Sequence, residues 1–150
     1  MLSRELRQPK SLPPDEANTG TLLLEAYRAF ERELFRAFRN AGHDALRPKH
    51  GAVLANLGRD GARLTELAAL AGISKPSMKE LVDELSDLGY LDRRDDPTDR
   101  RARLIVLTEE GLAVASLARR AIDRIEKGYA KKLGKRSYDA LRSALATLLK

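Results

Sequence analysis

The sequence predicts a mainly α-helical fold with a single small β-hairpin, on three observations. Apolar residues recur at three- and four-residue spacing along several long segments. Two of the shorter helical segments are separated only by the glycine-containing stretch Gly72-Ile73-Ser74. Directly after the second, Tyr90 to Leu107 reads as two short strands joined by an arginine-rich loop with a turn at Pro97. Helix, tight turn, helix and hairpin in that order make a winged helix-turn-helix.

The elements follow in chain order. Residues 1 to 19 hold charge, Pro9, Pro13 and Pro14, and little apolar periodicity, so a flexible arm is expected. From Thr21, Leu23, Tyr27, Phe30, Leu34 and Phe38 share one stripe, widened by Leu22, Ala26 and Phe35, and predict a helix over about 20 to 41 ended by Gly42. Pro48 suits a first helical position ahead of His50, Val53, Leu54 and Leu57, and the Asp60-Gly61 turn closes this second helix. Thr65 is the expected N-cap of a third helix that stops at Gly72. Ser74 caps a fourth, with Pro76 in its first turn, running to Leu88 and Gly89. After the hairpin, Thr108 caps a long helix opening on Glu109 and Glu110, with a stripe from Leu112 to Leu133. Gly134 breaks it, and Tyr138, Leu141, Leu145, Leu148 and Leu149 mark a last helix.

The expected division is an arm at 1–19, an N-terminal helix at 20–46, a winged lobe at 47–107 and C-terminal helices at 108–150. The lobe's second helix covers about 74–88 and its wing about 90–107. Long terminal helices with broad stripes predict burial against a second subunit as well as against the core.

Composition narrows the function. A chain of 150 residues suits one domain with a modest core, or a small domain plus an oligomerisation element. A net charge of +6 favours a polyanionic partner. The absence of Cys excludes disulfides and thiolate metal sites, and with only His43 and His50 no metal centre is expected. Neither a glycine-rich phosphate loop nor a nucleophile paired with histidine is present, so neither an enzyme nor a cofactor is expected. No segment has the apolar length of a signal peptide core or a membrane span, and a cytoplasmic location is the expectation.

A helix-turn-helix packs one face of its second helix and offers the other to the major groove of double-stranded DNA. Met78, Leu81, Leu85 and Leu88 are the expected core side. Lys75, Pro76, Lys79, Asp83 and Ser86 point away from it, with Ser74 and Ser77 near the groove at the N-terminus. Lys79 is the leading base or phosphate contact, since lysine donates to guanine O6 and N7. Ser74 is first a cap and secondly a phosphate contact. Asp83 either accepts from a cytosine amino group or is a cost that tunes specificity. In the wing, five arginines and four aspartates lie between Asp92 and Arg103. Asp99 is expected to hold the Arg101 guanidinium extended for a narrow minor groove, with Arg94 and Arg100 on flanking phosphates. Arg103 reads as a solvent-facing strand residue.

Three pieces of sequence together resemble the MarR family of winged-helix regulators, over about residue 21 to the C-terminus. They are Thr65-Glu66-Leu67-Ala68 with Gly72-Ile73-Ser74-Lys75-Pro76-Ser77; Leu81-Val82-Asp83-Glu84-Leu85 with Gly89-Tyr90-Leu91-Asp92-Arg93; and Asp99-Arg100-Arg101-Ala102-Arg103 with Leu107-Thr108-Glu109-Glu110-Gly111. Glu80 departs from the pattern, standing where many members carry arginine. The resemblance implies a homodimer whose interface holds Leu23, Tyr27, Phe30, Leu133, Tyr138, Leu141, Leu145 and Leu148. It also implies a sequence-specific regulator, a repressor above all, on a pseudo-palindromic operator with half-sites roughly 34–36 Å apart. A small aromatic or phenolic effector is a further implied partner, in a pocket that Phe30, Phe38 and His50 could line, although a core role is favoured for the two Phe and a structural one for His50. The competing readings are a winged helix used for protein contacts and a non-specific DNA-coating protein.

Overall fold

The computed structural model describes residues 13–150; most of the expected N-terminal arm, residues 1–12, lies outside the described residues. Six helices and one hairpin follow: α1 (Thr19–Asn40), α2 (Gly51–Leu54, entered through a 3-10 turn at Pro48–His50), α3 (Leu64–Ala71), α4 (Lys75–Asp87), β1 (Leu91–Asp96), β2 (Asp99–Leu107), α5 (Glu109–Leu133) and α6 (Lys135–Leu148).

Short polar side chains start the main helices. Asn18 Oδ1 accepts from the Thr21 amide at 2.9 Å, Ser74 Oγ from Ser77 at 3.2 Å, and Thr108 Oγ1 from Gly111 at 3.1 Å. The α3 cap corrects the expectation at Thr65. Glu66 reaches back to the Arg63 amide at 2.9 Å, which draws Leu64 into the helix and puts Arg63 in the capping position.

The lobe core gathers Phe35 and Phe38 of α1, Leu46, Val53, Leu67 of α3, Met78, Val82 and Leu85 of α4, Tyr90, Ile105 of β2 and Val114 of α5. Phe35 and Phe38 meet edge to face with ring centroids 5.0 Å apart. Val82, not Leu88, completes the core side of α4; Leu88 is 41% exposed. At 100° per residue the buried arc is centred on Met78, Val82 and Leu85, and Leu88 lies about 80° from Met78 at its edge.

The hairpin is antiparallel, pairing Leu91 with Leu107 through Asp95 with Arg103, and then, after a register shift, Asp96 with Asp99. Its turn is therefore only Pro97-Thr98. The expected arginine-rich loop is mostly paired strand, and Arg103 is an exposed residue inside β2. Ala62 exchanges both backbone bonds with Ile105, at 3.0 and 2.8 Å, tying the entry to α3 onto β2. Gly61 must be glycine at this crossing: its φ is +80°, and a Cβ would stand 2.7 Å from the Ile105 carbonyl oxygen.

α5 leaves the wing, crosses α1 and turns at Gly134 into α6. In the single chain α6 buries none of its residues, and Leu141 and Leu148 stand 43% and 70% exposed. Leu23, Tyr27 and Leu133 are exposed too, whereas Phe30, Tyr138 and Leu145 are half-buried. An isolated helix of about 14 residues is marginal in water, so a face of this kind calls for a packing partner.

Candidate nucleic-acid interface

The first two turns of α4 stand clear of the core, with Ser74, Lys75, Pro76, Ser77 and Lys79 all exposed. Two of the four acidic residues of this helix, Asp83 and Glu84, are engaged. Asp83 binds Lys79 Nζ through Oδ2 at 2.6 Å and Arg93 Nη2 through Oδ1 at 2.5 Å. Lys79 and Arg93 together hold the Asp83 carboxyl below the usual carboxylate range. Lys79, expected as a free contact, is thus already paired in the isolated protein. The two options left open for Asp83 gain a third: a counter-ion joining α4 to the wing.

Glu84 is committed on the other side. Its carboxylate takes Lys49 Nζ at 2.8 Å and His50 Nε2 at 2.9 Å, and these two bonds lower its pKa, Lys49 first. His50 Nδ1 accepts from the Arg47 amide at 2.9 Å, so Nε2 carries the hydrogen that Glu84 receives. At 2% exposure the His50 ring is a structural tie from the turn before α2 to α4. His43 shares a 2.8 Å bond with the Tyr90 hydroxyl.

The wing is held by a residue that the sequence reading passed over. Asp96, 6% exposed, accepts from the Thr98 amide at 2.8 Å and hydroxyl at 2.7 Å, and from Arg63 Nε at 2.9 Å and Nη2 at 2.6 Å. These bonds, the Thr98 pair foremost, bring its pKa down to about 2. The turn is thereby fastened to the start of α3. Asp99 plays a different part from the one expected: its Oδ1 accepts the Arg101 backbone amide at 3.0 Å, and its nearest cation is Arg63, at 3.8 Å. The Arg101 guanidinium is not held by it. Arg94, Arg100 and Arg101 are exposed. Between α3, α4 and the hairpin lies a concavity of about 400 Å³, lined by Arg63, Thr65, Lys75, Lys79, Arg93 and Arg103 among others.

A second, more apolar cavity of about 560 Å³ lies between α1, α2 and α5. Phe35, Phe38, Leu54, Leu112 and Ile122 contribute to its wall, with Arg59 and Arg119 among its few polar groups. Phe38 borders it while packed in the core, the role favoured for it; Phe30 and His50 do not border it, since Phe30 lies earlier on α1 and the His50 ring is turned onto Glu84. Among the described residues no cluster of three or more His, Asp or Glu could hold a metal ion, and no helix is long and apolar enough to cross a membrane.

Residues 46–102, from the buried Leu46 through the wing turn, match a family model described as MarR family. An uncharacterised HTH-type transcriptional regulator of Mycobacterium bovis is 31% identical over 99 residues, which cover 65% of this chain and 69% of the relative. This chain belongs to the MarR family.

Solved MarR-fold structures agree over nearly the whole length. The transcriptional repressor CouR bound to a 23-mer DNA duplex superposes with a TM-score of 0.70 at 29% identity, covering 89% of this chain and 93% of that one. CouR from Rhodococcus jostii RHA1 bound to p-coumaroyl-CoA gives 0.70 at 26% identity, with 92% and 95% covered. This MarR-family regulator therefore has the winged helix-turn-helix, with α4 as second helix and the hairpin as wing. Its framework residues Arg63, Glu84, Arg93 and Asp96 escaped the sequence reading. Arg63, Glu84 and Arg93 act through partners 10 to 35 positions away, of which local spacing carries no mark, whereas the Asp96–Thr98 bonds span two residues and could have been read as an Asx turn.

Proposed function

We propose that the protein is a sequence-specific repressor that binds a pseudo-palindromic operator as a homodimer. In this reading α4 enters the major groove through Ser74, Lys75, Pro76, Ser77 and Lys79, with Asp83 behind them. The wing brings Arg101 to the minor groove, with Arg94 and Arg100 on flanking phosphates and Asp99 setting the backbone of the tip. The observation that carries the proposal is the shared exposure of the α4 N-terminal turns and the wing arginines, on a fold that CouR also uses when bound to a DNA duplex. Leu23, Tyr27, Phe30, Leu133, Tyr138, Leu141, Leu145 and Leu148 form the dimer interface, a role supported by the α6 face that one chain cannot cover.

The effector reading rests on the cavity between α1, α2 and α5. Its apolar wall suits an aromatic ring, and Arg59 or Arg119 suits a carboxylate or phosphate on the same molecule. A phenolic acid or its thioester is the class proposed, supported by p-coumaroyl-CoA on the related CouR. Such a ligand acts by favouring a lobe separation that fits the operator poorly, and its effect equals its differential affinity for the two arrangements.

Selection from random duplexes, followed by anisotropy titration of the recovered site, tests the reading. A repressor prefers its site by about 10³-fold or more over shuffled DNA. Equal, steeply salt-dependent binding to both would instead identify a coating protein.

A further inference from the structure

In a winged helix on DNA, one sugar-phosphate strand has to pass between the helix in the major groove and the hairpin in the adjacent minor groove. The place for that strand here is the concavity between α4 and the wing, whose wall carries Arg63, Lys75, Lys79, Arg93 and Arg103. Strand alternation puts Arg93, Ile105 and Arg103 on the same side of the hairpin, opposite α4. No carboxylate lines the concavity, but four lie beside its cations, of which Asp99 stands 3.8 Å from Arg63. Asp96 holds Arg63 in a buried, four-bond arrangement. Asp95 stands 3.8 Å from Arg103, too far for a hydrogen bond. Asp83, 41% exposed, holds both Lys79 and Arg93, one on each oxygen. Lys75 has no ionic partner among the described residues.

We infer that Asp83 is an internal stand-in for a DNA phosphate: it pairs Lys79 with Arg93 in the free protein, and a backbone phosphodiester displaces it when the strand enters the cleft between α4 and the wing. Resting on the DNA-binding reading, the inference adds Arg93 and Arg103 to the phosphate-contacting set and gives Asp83 a role. A carboxylate with its two oxygens on two cations presents the same single charge and the same pair of anionic oxygens as the phosphodiester that replaces it. Because both pairs are partly exposed, each is weak enough to exchange. The Asp96 carboxylate, 6% exposed and fixed also by two bonds from Thr98, stays in place, so Arg63 anchors the wall rather than joining the exchange. Asp83 also favours sites where the whole lobe docks, because weak, partial encounters do not repay its displacement. Its expected effect is therefore to suppress binding to random DNA more than binding to the operator.

The experiment compares the full-length protein with its Asp83→Asn, Asp87→Asn, Arg93→Gln and Asp83→Asn/Arg93→Gln variants on a random-sequence duplex of about 25 base pairs, over a series of salt concentrations. Asp87 is an exposed carboxylate at the far end of α4, away from the cleft, so its variant changes the net charge by the same amount. The expected result is about a three- to tenfold gain in affinity for Asp83→Asn, well above that for Asp87→Asn, with the salt slope steeper by up to about one unit. About half of that gain should vanish when Arg93 is already Gln, because Asp83→Asn then frees Lys79 alone. Equal gains for the two Asn variants, or a full gain in the double variant, would overturn the inference while leaving the DNA-binding reading in place. A wild-type protein that bound no duplex at any salt would overturn both.

Discussion

His50 donates from Nε2 to the Glu84 carboxylate over 2.9 Å, joining the turn that enters α2 to the C-terminal half of the proposed reading helix. The ring is 2% exposed, and the Arg47 amide occupies its other nitrogen. His50→Leu should therefore lower stability by about 1–3 kcal/mol, since it removes two hydrogen bonds and leaves the part-buried Arg47 amide and Glu84 carboxylate without the ring. Urea denaturation would show this as a lower midpoint at an unchanged slope; an unchanged midpoint would mean that the tie holds nothing.

Asp96 gives the wing an acid limit. Its folded pKa is about 2 against an ordinary value of 3.8, a depressed carboxylate, so the stabilisation it supplies is fully present above about pH 4 and is lost as pH falls toward 2. Amide exchange at Thr98, measured at constant temperature and corrected for intrinsic rates, should accelerate across that window. Asp96→Asn should show fast exchange at neutral pH as well, with weakened duplex binding. Protection that persisted below pH 2 would separate the turn from Asp96.

Arg101→Ala should weaken binding to the selected operator and lower the salt slope by about one unit if the side chain replaces a counterion, with the oligomeric state untouched. A titration in which affinity and slope both stayed constant would remove the wing tip from the interface.

Replacing Leu141 and Leu145 with Asp should give a monomer by light scattering that binds duplex poorly. Charged groups there would have to be desolvated against the second subunit. Persistence of the dimer in that variant would move the interface away from α6.

The helices were legible because their signals are local. Ser74, Thr108 and Gly72 act on neighbours within a few residues, and the α1 and α5 stripes repeat over many turns. The wing was read correctly in place and wrongly in extent. β1 is Leu91-Asp92-Arg93-Arg94-Asp95-Asp96, a run with one apolar residue, so hydrophobic alternation could not reveal strand where backbone pairing extends it to Asp96. Lys79 looked free because Asp83 was considered for what it could offer to DNA before what it offers within its own helix, four residues away. The clasp of Arg63 on Asp96 spans 33 positions and was beyond any local pattern.

The start of α5 sits so close to the hairpin base that a Cβ on Gly111 would be 2.2 Å from the Tyr90 carbonyl oxygen, while Thr108 Oγ1 donates to Gly89 at 2.6 Å. The wing base and the end of α4 are thus welded to one end of a rigid beam. With 25 residues that beam is about 37 Å long, so a 5° tilt at one end carries the other about 3 Å. Arg59 and Arg119 face the same cavity beside the first half of the beam, nearer its welded end than its free one. A small wedge there has mechanical advantage: an ångström-scale push near the fulcrum becomes a displacement several times larger where the beam hands over to α6.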